Sequence, residues 1–264
     1  MDTYYSQNGF SLYNGDSAQV LKQLQAESVD LTVTSPPYDN LRKYNGFSFD
    51  FETIAKELYR VTKSGGVVVW IVNDGTVNGS ETGTSFRQAL FFKQIGFDLY
   101  DTMIWAKPSP AAPTEGRYYD VFEYMFIFSK GKPKSINLIE DRKNVTAGSV
   151  RKIDTRSCKE DRQYKEESRV CKEYSRRFNV WTISKARNNT KHPAVFPEQL
   201  AKDHILSWSK EGDTVLDPFM GSGTTAKAAM LSGRKCIGIE ISPEYCEIIK
   251  ERCESEIGLF AFAN

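Results

Sequence analysis

The chain has 264 residues, 40% hydrophobic and 26% charged with a formal net charge of +1, which suits one large α/β domain or one domain carrying a sizeable insertion. Five scattered cysteines (Cys158, Cys171, Cys236, Cys246, Cys253) form no C-x-x-C pair, and with only His192 and His204 beside them no metal site is expected and a reducing cytoplasm is. No basic start leads into an apolar run, and no apolar stretch approaches the roughly 20 residues of a membrane span, so neither a signal peptide nor a membrane partner is expected.

In chain order, Phe10 to Tyr13 reads as a strand ending in the turn Asn14-Gly15-Asp16, and Ala18 to Leu24 as a helix. Val29 to Val33 is a strand that runs into Thr34-Ser35-Pro36-Pro37-Tyr38. Phe51 to Val61 is an amphipathic helix, expected to close at Gly65-Gly66. The all-apolar Val67 to Val72 suits the centre of a parallel sheet. A helix from Ser85 to Gln94 precedes two late strands, Leu99 to Trp105 and Val121 to Phe128, which suit a hairpin. The polar stretch Arg142 to Arg187, with interspersed aromatic residues, interrupts the rhythm as an insertion. A helix starts near Glu198, then come the strand Thr214 to Leu216, the helix Ala226 to Leu231 capped by Thr224-Thr225, the strand Lys235 to Ile239, and a helix entered through Ser242-Pro243. Alternation of this kind predicts a doubly wound, mostly parallel sheet.

Charge is unevenly spread. Lys130 to Lys191 holds 18 Lys and Arg against 8 Asp and Glu, a local charge of +10, which leaves −9 on the rest. Such a block fits a polyanion partner, or equally a solvated insertion.

The run Asp217-Pro218-Phe219-Met220-Gly221-Ser222-Gly223-Thr224-Thr225 places glycines between a strand and a helix, where a ligand can approach the backbone closely. It has neither the lysine of a P-loop nor the third glycine of a dinucleotide fingerprint. Glu240 ends the next strand, where an α/β fold puts a carboxylate on ribose hydroxyls. Nucleoside binding without a phosphate cradle points to S-adenosylmethionine. In the Ser-Pro-Pro-Tyr loop the prolines lack N–H groups and leave carbonyls as acceptors. Ser35 Oγ and a prolyl carbonyl can accept both hydrogens of an exocyclic base amine and aim its lone pair at a sulfonium methyl. Tyr38 offers a face on which a flipped-out base can stack.

These motifs resemble those of the DNA amino-methyltransferases that modify cytosine N4 or adenine N6, over roughly residues 8–130 and 190–255. Catalytic motif first and cofactor motif last is the order of the family's β group, a circular rearrangement. The resemblance implies a catalytic set of Ser35, Pro36, Pro37 and Tyr38. It implies a cofactor set of Asp16, Phe196, Asp217, Phe219, Gly221, Gly223, Thr224, Thr225 and Glu240. Asp16 would approach the adenine of the cofactor, and His192 to Pro197 would pack on its methionine end. Residues 1–130 and 191–264 then form the two halves of the methyltransferase domain. The segment 131–190 is a target-recognition insertion, with Arg176, Arg177 and Arg187 as candidates for DNA contact. The implied partner is duplex DNA with one base flipped out, in a bacterial, archaeal or phage-encoded setting. A companion restriction endonuclease, and a monomer or a homodimer, are compatible with it. Ser35 in place of an acid or amide favours cytosine N4. Adenine N6, an RNA methylase and an inactive DNA-binding module are the alternatives.

Overall fold

The computed structural model describes residues 2–37, 49–109, 116–154, 166–185 and 197–257. They fall into two units, Met1–Asn137 with Asn179–Asn264, and Leu138–Phe178. The first unit opens with β1 (Tyr5–Gln7), β2 (Phe10–Asn14), α1 (Ser17–Leu21), β3 (Val29–Thr34), α2 (Phe51–Val61) and β4 (Thr62–Val72). A small hairpin, β5 (Thr76–Val77) and β6 (Ser80–Glu81), leads to α3 (Thr84–Gln94), β7 (Asp98–Ala106) and β8 (Phe122–Ser129). The second unit is built of short antiparallel pairs from β9 (Arg142–Lys143), β10 (Val150–Asp154), β11 (Glu166–Val170) and β12 (Tyr174–Ser175). The chain then returns to the first unit through β13 (Val180–Thr182), α4 (Glu198–Trp208), β14 (Thr214–Asp217), α5 (Thr224–Leu231), β15 (Lys235–Glu240) and α6 (Pro243–Arg252).

The main sheet has the order β1-β2-β15-β14-β3-β4-β8-β7-β13. The run from β2 to β4 is parallel, β8 is antiparallel to both its neighbours, and β13 pairs parallel with β7. From β14 the chain passes through α5 to β15 on one side; from β3 it passes through α2 to β4 on the other. The winding therefore diverges between β14 and β3, and open α/β sheets bind ligands in the crevice beyond the strand ends at such a point.

One face of the sheet is covered by α1, α2 and α3. Ile54, Ala55, Leu58 and Val61 recur at helical spacing on α2 and are buried against Val68, Trp70 and Phe128. Burial of a Leu or Ile of this kind contributes about 1.5–3 kcal/mol. The opposite face takes α4, whose Leu200, Ala201 and Ile205 are fully buried. Period-two alternation explains the division: Phe126 and Phe128 point to the α3 side, while Met125 meets His204 of α4.

Four details depart from the sequence reading. The helix α2 ends at Val61, and Gly65-Gly66 lies inside β4, not at a helix end. A Cβ on Gly66 would stand 3.0 Å from the carbonyl oxygens of Asp30 and Lys63, so the strand needs glycine where it kinks beside β3. Gly223, in the left-handed region at φ 83°, caps α5 in place of the threonines, whose first two positions are helical. The polar edge strand β1 carries no hydrophobic alternation and was not expected. Val180–Thr182 belongs to the main sheet, so the second unit is narrower than the segment 131–190. Trp181 is buried there against His204, with ring centroids 4.5 Å apart.

Candidate active site

The two loops singled out by sequence meet through one buried carboxylate. Asp217 ends β14 and is 1% exposed. Its Oδ1 accepts from the Thr34 hydroxyl at 2.7 Å and from the Phe219 N–H at 3.0 Å. Its Oδ2 accepts from the Thr225 hydroxyl at 2.6 Å. Thr34 is the last residue of β3 and precedes Ser35; Thr225 belongs to the first turn of α5. A single side chain thus fixes the end of β3, the glycine loop after β14 and the start of α5, with Thr34 and Asp217 183 residues apart in sequence. Burial pushes the Asp217 carboxyl above the ordinary 3.8, against the opposing pull of these hydrogen bonds. The demand of a buried carboxylate for donors also explains why the Thr225 hydroxyl turns to it and leaves the helix cap to Gly223.

Glu240 closes the other side of the loop. It is 7% exposed, its Oε2 accepts from Gly221 N at 2.8 Å, and its Oε1 accepts from Ser242 N at 2.9 Å. Desolvation raises its carboxyl above 4.5, and the backbone N–H groups work against that shift. An ionised carboxylate has about four acceptor positions, so these two bonds orient Glu240 and leave capacity for ligand hydroxyls. Met220 N donates to Ile239 O, which ties the loop across to β15. Gly221 at φ 55° and Gly223 at φ 83° make the tight turn between Met220 and α5.

The end of β2 joins the same edge. Asn14 Nδ2 donates to the carbonyls of Glu240 and Ile241, and Ser17 Oγ to that of Pro218 at 2.5 Å. Asp16, between them, is the N-cap of α1, with Gln19 N donating to its Oδ1 at 3.1 Å. Phe219 packs edge-on against Phe49 and Trp70, so much of its ring supports the loop from below. Ser35 and Pro37 are partly exposed at the same sheet edge, and Pro36 is buried.

Of the residues predicted from sequence, the structure brings together Ser35, Pro36, Pro37, Asp16, Asp217, Phe219, Gly221, Gly223, Thr224, Thr225 and Glu240 at the carboxyl ends of β2, β15, β14 and β3. Tyr38, Arg187, His192 and Phe196 lie outside the described residues. In the second unit Arg176 is exposed, and the Arg177 guanidinium donates through Nε and Nη2 to Asp141, whose carboxyl this holds below its ordinary value. Thr34 and Asn14, which the sequence reading quoted in their motifs without a role of their own, and Ser17, which it did not name, are structural members of the site. The signal for the role of Thr34 is a hydroxyl directly before Ser35 at a strand end. Among the described residues no helix is long and apolar enough to cross a membrane, and no group of three His, Cys, Asp or Glu could hold a metal ion.

The donor set suits a nucleoside whose ribose hydroxyls meet Glu240, with a glycine turn in place of a phosphate-binding lysine. The family model described as DNA methylase, of the N6/N4 type, matches residues 29–251, and the chain belongs to this family. It is similar to the orphan methyltransferase M.BamHII of Bacillus amyloliquefaciens, 57% identical over 244 residues that cover 87% of this chain and 90% of that protein. Its fold is similar to that of PvuII DNA methyltransferase (cytosine-N4-specific), with TM-score 0.71, 24% identity, and 95% and 88% of the two chains covered. A putative DNA modification methylase from Thermus thermophilus, solved in complex with S-adenosyl-L-methionine, aligns at TM-score 0.62 and 27% identity, over 93% of this chain and 95% of that one.

Proposed function

We propose that this DNA methyltransferase modifies the N4 amine of cytosine within a short specific sequence of duplex DNA. Its cofactor is S-adenosylmethionine, which when bound supplies a methyl group on a positively charged sulfur. The observation that supports the reading is the Thr34–Asp217–Thr225 bridge, which holds the end of β3, directly before Ser35, to the start of α5 after the glycine loop. In this reading Ser35 Oγ and a prolyl carbonyl accept the two amino hydrogens and direct the nitrogen lone pair. Tyr38 stacks on the flipped base, Glu240 holds the ribose hydroxyls of the cofactor, and Asp16 lies toward its adenine. The basic segment 131–190 reads the target, with Arg176, Arg177 and Arg187 reaching phosphates or guanine edges. Arg177 would exchange Asp141 for DNA. The choice of cytosine rests on Ser35, where adenine enzymes more often carry an acid or amide. Mass spectrometry of nucleosides from methylated duplex tests it: a methyl gain on deoxycytidine is expected. A gain on deoxyadenosine with deoxycytidine unmodified overturns the base and leaves the amine chemistry standing.

A further inference from the structure

Beyond the carboxyl end of β4, on the far side of the catalytic loop from the cofactor residues, the chain forms a braced rim. In the β3–β4 register Thr34 stands opposite Trp70, so Ser35 and Asn73 follow the carboxyl ends of neighbouring parallel strands. Asn73 Nδ2 donates to Asp120 Oδ2 at 2.8 Å and to Phe122 O at 3.2 Å. Asp74 accepts from Ser85 N at 2.9 Å and from the Thr82 and Ser85 hydroxyls, which fixes the base of the β5–β6 hairpin to α3. Arg117 reaches back over that hairpin, with Nη2 donating to Gly79 O at 2.6 Å and Nη1 to Glu81 at 3.1 Å. Lys107 N donates to Val121 O at 2.6 Å on the remaining side.

Residues 117–122 are therefore held at both ends, yet between the anchors Tyr118 is 100% exposed and Tyr119 is 56% exposed. Along β8 an aromatic column runs from the core to Phe122, with Phe126 stacked on Tyr124 and Phe122 edge-on to Tyr124. A tyrosine costs little conformational entropy to fix, and its face is matched to a flat partner. A braced backbone has already lost the freedom that binding would otherwise remove.

We propose that Tyr118 is a second DNA contact, which stacks on a nucleobase unpaired during base capture and so helps to hold the duplex open beside the catalytic loop. The proposal rests on methylation of duplex DNA as read above. Its ligand is the π-face of a base, which every base has, so this contact adds opening and affinity without selecting a sequence.

The test uses the full chain, S-adenosylmethionine and a duplex carrying its own mapped methylation site. Tyr118 is fully exposed, so Tyr118→Ala, Tyr118→Leu and Tyr118→Phe leave the fold undisturbed. A stacked base is worth ~1–3 kcal/mol, so Tyr118→Ala and Tyr118→Leu should weaken duplex binding by about 5- to 150-fold. Tyr118→Phe should bind like wild type, and cofactor affinity should be the same in all three. Wild-type affinity in Tyr118→Ala, or Leu serving as well as Phe, overturns the assignment. Wild-type methylation measured on the same duplex keeps its failure distinct from failure of the enzymatic reading.

Discussion

Removal of the Asp217 carboxylate tests whether one side chain couples the two motifs. In Asp217→Ala the hydroxyls of Thr34 and Thr225, both fully buried, lose the acceptor they now reach at 2.7 and 2.6 Å. A buried polar group left unpaired costs ~1–3 kcal/mol, which gives about 2–6 kcal/mol for the pair. Removal of a desolvated carboxylate offsets part of this, so the expected loss lies near 2–4 kcal/mol. Asp217→Asn keeps one oxygen for Thr34 and Phe219 and presents an N–H to Thr225, so its loss should be smaller. Urea unfolding reads the stability, and calorimetric titration with S-adenosylmethionine reads the loop. Both should fall together, because Phe219 on the glycine loop, Thr225 at the start of α5 and Thr34 at the end of β3 share the group. The pH dependence has a definite sign. Burial raises the carboxyl of Asp217, so its contribution is fully present below the ordinary 3.8 and is lost as pH climbs through the folded-state value. The stability advantage of wild type over Asp217→Asn should therefore shrink with rising pH across that window. An Asp217→Ala protein with unchanged urea midpoint and unchanged cofactor affinity would refute the coupling.

Three further outcomes are expected. Glu240→Ala should weaken S-adenosylmethionine binding by about 1.5–3 kcal/mol, the range for hydrogen bonds to a charged group, as read by calorimetry; unchanged affinity would remove Glu240 from the ribose site. Ser35→Ala should lose single-turnover rate far more than cofactor or DNA affinity, since its hydroxyl is assigned to the reacting amine; a wild-type rate would end that assignment. Replacement of residues 138–178 by a short linker should leave cofactor binding intact, make the salt dependence of DNA binding shallower and abolish site selection. Retention of the same methylated sites would place specificity elsewhere.

The parallel core was legible because its signals are local. Val67 to Val72 is a continuous apolar run, and the strand–loop–helix segments around Asp217 and Glu240 carry glycines and caps at the right offsets. What sequence did not reveal depends on partners distant along the chain. Gly65-Gly66 reads locally as a helix stop, yet the role of Gly66 is set by the carbonyls of Asp30 and Lys63, and Gly65 takes a positive φ beside Lys132 and Lys134. Trp181 reads as one more aromatic residue in a polar insertion, and only pairing with β7 makes it core. The threonines after Gly223 read as caps because a capping hydroxyl and a hydroxyl owed to a buried carboxylate look the same in one dimension.

The same distinction explains why the order of the motifs along the chain can change without cost to the site. The groups of the candidate site are displayed at the carboxyl ends of β2, β15, β14 and β3, and their mutual placement is fixed by strand pairing and by the Asp217 and Glu240 hydrogen bonds. None of these contacts needs β3 to come before or after β14 in sequence. It needs only that the two strands be neighbours and parallel, as they are. The loops at the opposite edge, such as the turn from α4 into β14, hold none of these groups, so the place where the chain starts can move among them. A chain permuted at residues 210–213 should therefore keep cofactor affinity, provided that its new termini leave β14 paired to β3. Loss of binding in a folded permutant would mean that connectivity, and not strand pairing, positions the site.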